Sequence, residues 1–228
     1  MLSINYLPLD VLLNKETLDK YIYSNMFANY YWSDDFSPKY YIAQAKAGFI
    51  AVTEHYKNQE LLIPEIQFNY AILDFKDLHI SKKVKKLLKK ENLKLIIDEN
   101  LEEVFSGISS QHNSWLTTKY LQTLKATKNV DKDFKVVSAY IKQNNIVVAG
   151  EIGYIIGKTY TSLSGFTIRD KKYNNYGKAQ IVLLAKYLEK NHFNFWNLGH
   201  PHMPYKLALG AKIYTREEFL KRWYKQRF

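Results

Sequence analysis

The chain has 228 residues, of which 46% are hydrophobic and 15% aromatic, a composition typical of a folded globular protein and not of a disordered one. It contains no cysteine, which excludes disulfides, thiolate chemistry and cysteine-based metal sites. The formal net charge is +11 at pH 7, a field that attracts polyanions such as nucleic acid. Because the chain is also rich in Lys, Asn, Ile and Tyr, compositional bias is an alternative source of this charge.

Nothing in the sequence predicts a membrane partner. No run approaches the roughly 18 apolar residues of a membrane span. The first ten residues lack the charged start and the apolar stretch of a signal peptide. We therefore expect a cytoplasmic protein.

The first third of the chain predicts helices alternating with short strands. A helical pattern runs from about Leu9 to Asn25. A second helix is predicted from residue 39 to about 46, because Ser37 is a good N-cap and Pro38 suits the first helical position. Short strands are predicted at 49–53, 61–64 and 70–75.

A lysine-rich helix follows at residues 82–90, with Ser81 as its N-cap. Val84, Leu87 and Leu88 fall on one side. The other positions are Lys82, Lys83, Lys85, Lys86, Lys89 and Lys90, which we consider candidates for binding the phosphates of a nucleic-acid backbone. The alternative is a solvated helix face without a ligand.

Trp115 is a candidate substrate-binding residue. The preceding pattern predicts a strand at 93–97, a short helix at 101–106 and a loop at 107–114, after which Trp115 opens a helix that reaches Lys125. A tryptophan at this place can stack on a base or on an amino-acid side chain. It can equally anchor the core.

The middle of the chain predicts a three-stranded antiparallel meander. Its strands are 134–143, 146–156 and 159–166, and the loops between them have two residues each, which connect only neighbouring antiparallel strands. A loop then leads to a helix from Gln180 to Lys190.

The loop before that helix contains two further candidates, Gly177 and Lys178. Residues 174–179 resemble the Gln/Arg-x-x-Gly-x-Gly/Ala loop of acetyl-CoA-dependent N-acetyltransferases, with Asn174 in the first place. The free N–H groups at the start of a helix suit a phosphate or a developing oxyanion. A plain turn is the alternative.

A histidine-containing loop follows the predicted strand at 193–196. His200 and His202 could act as general bases near neutral pH, and Asn197 could hold an amine or a carbonyl. His-x-His also suggests a metal, but no third ligand is apparent in the sequence, so no metal site is predicted. A helix end, a glycine turn and a strand span 206–214, and Thr215 with Glu218 has the spacing of a capping box for the last helix, 216–225.

Five segments, taken in order, resemble the leucyl/phenylalanyl-tRNA protein transferases, which belong to the N-acetyltransferase-like superfamily. These segments are Asp35–Pro38 with Ala45–Phe49, Leu78–Lys82, Asn113–Thr117, Ala149–Gly150 with Gly153 and Gly157, and Leu207–Ala211. Trp115 falls on the family's pocket tryptophan.

The resemblance implies an α+β fold with an N-acetyltransferase-like meander and helices, in which residues 1–77 form a small N-terminal α/β domain and residues 78–228 the acyltransferase-like domain. It also implies transfer of an apolar amino acid from charged tRNA to the N-terminal amine of a protein. Aminoacyl-tRNA would be the co-substrate, no other cofactor is needed, and we expect a monomer.

The departures from the family fall where its chemistry is expected. The family's aromatic pair aligns with the segment at 64–70, where Phe68 and Tyr70 are the remaining candidates for stacking on the terminal adenosine. Its Gly-Glu-Ser motif aligns near Ser164, which offers a hydroxyl in place of the carboxylate, and its Asp-x-Gln motif aligns near Asn197. Glu151, on the same strand face as Gly153, is a possible substitute carboxylate, although it could also face solvent.

Two alternatives to the transferase remain open at the level of the sequence. An acyl-CoA-dependent N-acyltransferase, with CoA as its cofactor, is suggested by the loop around Gly177. A non-catalytic relative that binds RNA or peptides is suggested by the missing carboxylate and amide.

Overall fold

A seven-stranded sheet organises the part of the chain that the computed structural model describes, residues 4–111 and 115–226. Asn113 and Ser114, which belong to the predicted loop at 107–114 and to a family segment, lie outside the described residues. The strands are β1 (Asn5–Tyr6), β2 (Tyr31–Trp32), β3 (Ile50–Tyr56), β4 (Gln59–Glu65), β5 (Asn69–Leu73), β6 (Leu95–Asp98), β7 (Phe134–Gln143), β8 (Ile146–Ile156), β9 (Thr159–Thr167), β10 (Phe195–Asn197) and β11 (Lys212–Thr215). The helices are α1 (Leu9–Leu13), α2 (Lys15–Thr17), α3 (Pro38–Lys46), α4 (Lys82–Lys90), α5 (Glu102–Ser109), α6 (Thr118–Ala126), α7 (Tyr176–Lys190), α8 (Pro204–Ala208) and α9 (Arg216–Gln226).

The large sheet has the strand order β11-β5-β10-β9-β8-β7-β6. The predicted meander β7-β8-β9 forms three adjacent strands of this sheet, with antiparallel pairing throughout. After β9 the chain crosses over through α7 and returns as β10, which pairs with β9 in parallel. The result is a mixed α and β structure with a mostly antiparallel sheet.

Helices cover both faces of this sheet. Side chains alternate along each strand, so Ile72 packs on one face while Ala71 and Leu73 pack on the other. Helices α3, α5, α6 and α9 bury their apolar residues against the first face, and α4, α7 and the end of α8 do so against the second. Glu151, Gly153 and Ile155 belong to the face that carries α7, as their spacing on β8 predicts.

The N-terminal residues form a β-hairpin and short strands beside the large sheet. Strands β3 and β4 pair through a turn at Lys57 and Asn58, both with positive φ, and the two-residue strands β1 and β2 pair in parallel. Strand β5 pairs with β10 and β11 of the large sheet. The domain boundary expected after Asp77 stays a prediction, and β5, which precedes it, belongs to the large sheet.

The helical pattern predicted from about Leu9 to Asn25 is confirmed in part, as shorter helical pieces in place of one helix. The segment is divided into α1, α2 and a π-helical turn at Leu18–Tyr23. Asn14 separates the first two, because its side-chain oxygen accepts a 3.0 Å hydrogen bond from the N–H of Thr17 and so starts a new helix.

Three predicted helix starts or ends differ from the structure. Helix α5 continues past Gly107 to Ser109 because Ile108 is fully buried against the sheet. Helix α6 begins after Thr117, whose hydroxyl accepts from the N–H of Tyr120 at 3.1 Å, so Trp115 precedes the helix and does not open it. Helix α7 begins at Tyr176, four residues before the predicted start.

The basic helix and the last helix are confirmed. Helix α4 has the predicted bounds, with Ser81 as its cap and Val84 buried. Thr215 and Glu218 form the predicted reciprocal bonds, Thr215 N–H to Glu218 Oε2 at 2.8 Å and Glu218 N–H to Thr215 Oγ1 at 3.3 Å. No helix in the described part of the chain is long and apolar enough to cross a bilayer.

Candidate active site

A cavity of about 980 Å³ lies where β8 and β9 meet the loop before α7 and the segment around α8. Four of the predicted site residues line it: Trp115, Glu151, Ser164 and Gly177. Exposed charged residues of its lining are Arg169, Asp170 and Lys171. The folding of the meander brings these positions together from a stretch of more than sixty residues.

Glu151 is a buried carboxylate held by two hydroxyl donors. Its Oε1 accepts hydrogen bonds from Ser162 Oγ at 2.7 Å and from Tyr160 at 2.9 Å. Trp196 Nε1 donates to Ser162 Oγ at 2.8 Å, which leaves the serine proton for the carboxylate. Burial raises the pKa of Glu151 to about 7, although both hydroxyl donors oppose this rise. The carboxyl group therefore can exchange a proton near neutral pH.

Lys206 is the second buried charge of the cavity. It lies in α8, and its Nζ donates to the carbonyl oxygens of Leu198 at 2.5 Å and His200 at 2.6 Å. Burial lowers the pKa of Lys206 to about 8, and the charge of Glu151 opposes that fall. Sequence reasoning missed Lys206, since a lysine in a lysine-rich chain gives no sign of being buried.

Trp115 lies at the cavity wall, half-buried. Its ring packs edge to face on Tyr120, with the centroids 5.4 Å apart, and its backbone carbonyl accepts a hydrogen bond from Thr53. The tryptophan therefore contacts the core on one side and lines the cavity on the other. The contact with the core is one of the two roles that the sequence left open, and stacking on a substrate stays a prediction.

Asn197 and His200 lie outside the cavity lining. Asn197 is buried, and its Oδ1 accepts from the N–H of Gly199 at 2.9 Å. His200 Nε2 lies 2.9 Å from Oε2 of Glu65, and its ring stacks on that of His202. These side chains shape the loop that Lys206 holds.

Phe68 and Tyr70 also lie away from the cavity. Tyr70 is fully buried, stacks on Phe219 with centroids 3.8 Å apart, and donates to the carbonyl of Gly48. The guanidinium of Arg216 lies over the ring of Phe68 at 4.7 Å. The ring of Tyr70 therefore has no exposed face for a base.

Gly177 lies in the first turn of α7, and its place has a local explanation. A β-carbon there would lie 2.1 Å from Oγ1 of Thr167, so glycine lets the end of β9 approach the helix. Lys178 is exposed and borders a smaller groove of about 70 Å³ with Ser81 and Val84 of the α4 segment. Ile181 and Tyr205 line both the groove and the cavity.

The lysines of α4 form an exposed basic surface on the helix whose Val84 lines this groove. All six are exposed: Lys82, Lys83, Lys85, Lys86, Lys89 and Lys90. Helix α4 packs on the same face of the sheet as α7, whose Ile181 lines the cavity. Within residues 4–111 and 115–226, no three His, Asp or Glu side chains are arranged to hold a metal.

Comparison with known proteins agrees with the resemblance seen in the sequence. The model of the family described as leucyl/phenylalanyl-tRNA protein transferase matches residues 72–224. The chain belongs to this family. Every residue that lines the cavity lies within the matched range.

Individual relatives of the leucyl/phenylalanyl-tRNA protein transferase family are distant. The chain is 26% identical over 156 residues to a leucyl/phenylalanyl-tRNA–protein transferase of Flavobacterium johnsoniae, covering 65% of this chain and 69% of that protein. It is 26% identical over 151 residues to the one of Shewanella pealeana, covering 64% of this chain and 60% of that protein. Among solved structures, L-PGS from Bacillus licheniformis is similar with a TM-score of 0.46 and 10% identity, over 64% of this chain and 57% of that one.

Proposed function

We propose that this chain transfers an amino acid from a charged tRNA to the N-terminal amine of a protein, and that the reaction takes place in the cavity lined by Trp115 and Glu151. The observation that carries the proposal is the family match over residues 72–224, which contains the whole cavity lining. The donor and acceptor classes come from the names of the relatives.

The chemistry required is aminolysis of an ester. The acceptor nitrogen must lose a proton, attack the carbonyl carbon and displace the ribose oxygen of the tRNA. Because the aminoacyl ester is already activated, holding both reactants in one cavity supplies much of the rate. Glu151 is the proposed proton acceptor, and the Ser164 hydroxyl is a proposed donor to the developing oxyanion.

The remaining predicted residues have proposed roles away from the reacting atoms. Trp115 is proposed to pack on the donor end of the tRNA or on its amino acid. Asn197 and His200 are proposed to fix the loop behind the cavity. The α4 lysines are proposed to bind the phosphates of the tRNA, because they are exposed on the helix whose Val84 lines the groove that adjoins the cavity.

We also propose that β7, β8, β9, α7 and β10 form the N-acetyltransferase-like unit expected from the family. The antiparallel meander followed by a helix and a parallel strand supports this assignment. The boundary after Asp77 and the monomeric state are parts of the same proposal. The acyl-CoA alternative is not favoured, because the relatives are named as tRNA-dependent and Gly177 is explained by its contact with Thr167.

The proposal is tested with radiolabelled leucyl-tRNA and phenylalanyl-tRNA as donors and a peptide with an N-terminal arginine as acceptor. We expect label to appear in the peptide, and not in a control peptide whose N-terminus is acetylated. Acetyl-CoA in place of charged tRNA is expected to give no product. Absence of both tRNA binding and transfer would overturn the proposal.

A further inference from the structure

Lys206 and Glu151 are two buried side chains of opposite charge in one cavity, contributed by α8 and by β8. Lys206 is 6% exposed and Glu151 is also 6% exposed. A buried charge is costly unless another charge or hydrogen bonds compensate it. Each of these groups stabilises the charged form of the other.

The hydrogen bonds of Lys206 give it a second role, in shaping the cavity. Two of its three N–H donors bond to the carbonyl oxygens of Leu198 and His200, at the start of the loop between β10 and α8. Leu198 and Met203 of this loop line the cavity. The ammonium group therefore ties the cavity wall to α8 while its charge acts on Glu151.

We propose that Lys206 is a positioning residue for the transfer reaction: its ammonium favours the carboxylate form of Glu151 and fixes the loop at 198–203, so that the carboxylate can take the proton of the acceptor amine. This inference rests on the proposed function. It concerns a residue that none of the expected family motifs contains.

The proton balance of the step is simple. The acceptor ammonium gives one proton to Glu151, and the freed electron pair of the nitrogen forms the new C–N bond. As the ester C–O bond breaks, the nitrogen releases a second proton to solvent and becomes the amide nitrogen. The proton then leaves Glu151 for the ribose oxygen that departs. Lys206 keeps its own protons throughout.

The acidities of the partners suit this exchange. An N-terminal amine has a pKa of roughly 7.7–8.0, and burial places the pKa of Glu151 at about 7. Proton transfer between two such groups is nearly balanced, which is the condition under which general base catalysis is efficient. Without a cation nearby, the carboxyl group would be protonated over more of the neutral range.

Other titratable groups act on Glu151 from neighbouring elements. Tyr160 of β9 donates to it, and burial raises the pKa of this phenol well above its ordinary value. Burial raises the pKa of Tyr205 in α8 to about 12, so both phenols are neutral near pH 7. The charges of Arg169, Asp170 and Lys171 are exposed and screened by solvent. Lys206 is thus the buried cation whose charge acts on Glu151.

The first test is a direct titration by ¹³C NMR of protein labelled at the glutamate carboxyl groups, with Glu151→Gln used to assign the resonance. Wild type is compared with Lys206→Met, which removes the charge, and with Lys206→Arg, which keeps it. We expect Lys206→Met to raise the titration midpoint of Glu151 by roughly one to three pH units and Lys206→Arg to change it less. Lys186→Met, an exposed lysine of α7, serves as the matched control and is expected to leave the midpoint unchanged.

The second test is the pH dependence of kcat/KM for transfer in the same variants. We expect the acidic limb of the kcat/KM profile to move to higher pH in Lys206→Met, by the same amount as the titration midpoint of Glu151. In Lys206→Arg we expect this limb to lie closer to its wild-type position. An unchanged midpoint and an unchanged limb in Lys206→Met would overturn the proposal. A loss of activity without a shift of the midpoint or of the limb would also overturn the proposal, because a lysine with a purely structural role gives that result.

The two tests separate the inference from the proposed function. If wild type transfers no amino acid, the proposed function fails, while the carboxyl titration still decides whether Lys206 controls Glu151. If Lys206→Met does not fold, the reciprocal measurement is made on lysine labelled with ¹³C at Cε. Glu151→Gln is then expected to lower the midpoint of Lys206, because the carboxylate raises it, and an unchanged midpoint would contradict the pairing.

Discussion

A β-carbon at position 153 would lie 2.3 Å from the hydroxyl oxygen of Tyr160. Gly153 therefore leaves the space in which that hydroxyl reaches Oε1 of Glu151, 2.9 Å away. The glycine and the carboxylate are two residues apart on β8 and point to the same face. The family segment that contains Gly153 thus has a direct link to the buried carboxylate.

Replacing Gly153 with alanine is expected to destabilise the fold by about 1–3 kcal/mol, because the added methyl group overpacks Tyr160 and the carbonyl of Thr161. Chemical denaturation measures this free energy of unfolding. Tyr160→Phe serves as the comparison, because it removes the hydrogen bond without adding volume and is expected to cost less. Equal stability of Gly153→Ala and wild type would show that the site relaxes freely.

Glu151 is expected to make the stability of the fold fall as pH rises from about 4.5 to about 7. Burial raises the pKa of its carboxyl group from 4.5 to about 7, so the folded state holds more protons than the unfolded state in this window. The free energy of unfolding therefore decreases with pH there, by about 3 kcal/mol in total. Subtracting the denaturation profile of Glu151→Gln isolates this contribution, and a flat difference between pH 4.5 and 7 would contradict the buried state of the group.

Trp115→Ala is expected to reduce kcat/KM for transfer by roughly 5- to 150-fold, the equivalent of the 1–3 kcal/mol lost when a stacking aromatic is removed. Trp115→Phe keeps an aromatic ring and is expected to retain most of the activity. Steady-state kinetics with charged tRNA measure both variants, and thermal denaturation reports the contribution of the contact with Tyr120. If a folded Trp115→Ala variant has the kcat/KM of wild type, Trp115 does not contribute to substrate binding.

The lysines of α4 are expected to control the salt dependence of tRNA binding. Changing Lys82, Lys85 and Lys89 to glutamine should reduce the slope of log K against log salt by roughly 2–3, because each neutralised phosphate contributes about 0.7–0.9. The matched control changes Lys125, Lys128 and Lys135, which pair with Glu102 or Glu99. If both triple variants lower the slope equally, binding follows net charge and not the α4 surface.

Local patterns in the sequence predicted much of the architecture correctly. Two-residue loops can join only adjacent antiparallel strands, so the meander β7-β8-β9 follows from the spacing of Asn144-Asn145 and Gly157-Lys158. The cap at Ser81 and the reciprocal pair Thr215 and Glu218 fixed two helices, since capping depends on residues within one turn. The helical pattern that begins at Leu9 is interrupted because the side chain of Asn14 accepts a hydrogen bond from a backbone N–H within the apolar pattern.

The candidate site depends on which faces of distant elements meet, and this is not encoded in local spacing. From the sequence, Glu151 could be either buried or exposed to solvent. In the structure, the packing of α7 and α8 over β8 buries it. Lys206 was not predicted as a site residue, because a lysine is buried only where carbonyl oxygens accept its hydrogen bonds. Those acceptors, Leu198 and His200, belong to another segment. The sequence predicted Tyr70 as a residue that stacks on a base, but in the structure Phe219 of the last helix stacks on its ring. Periodicity and capping therefore specified the elements, whereas long-range packing alone placed a carboxylate and an ammonium in one cavity.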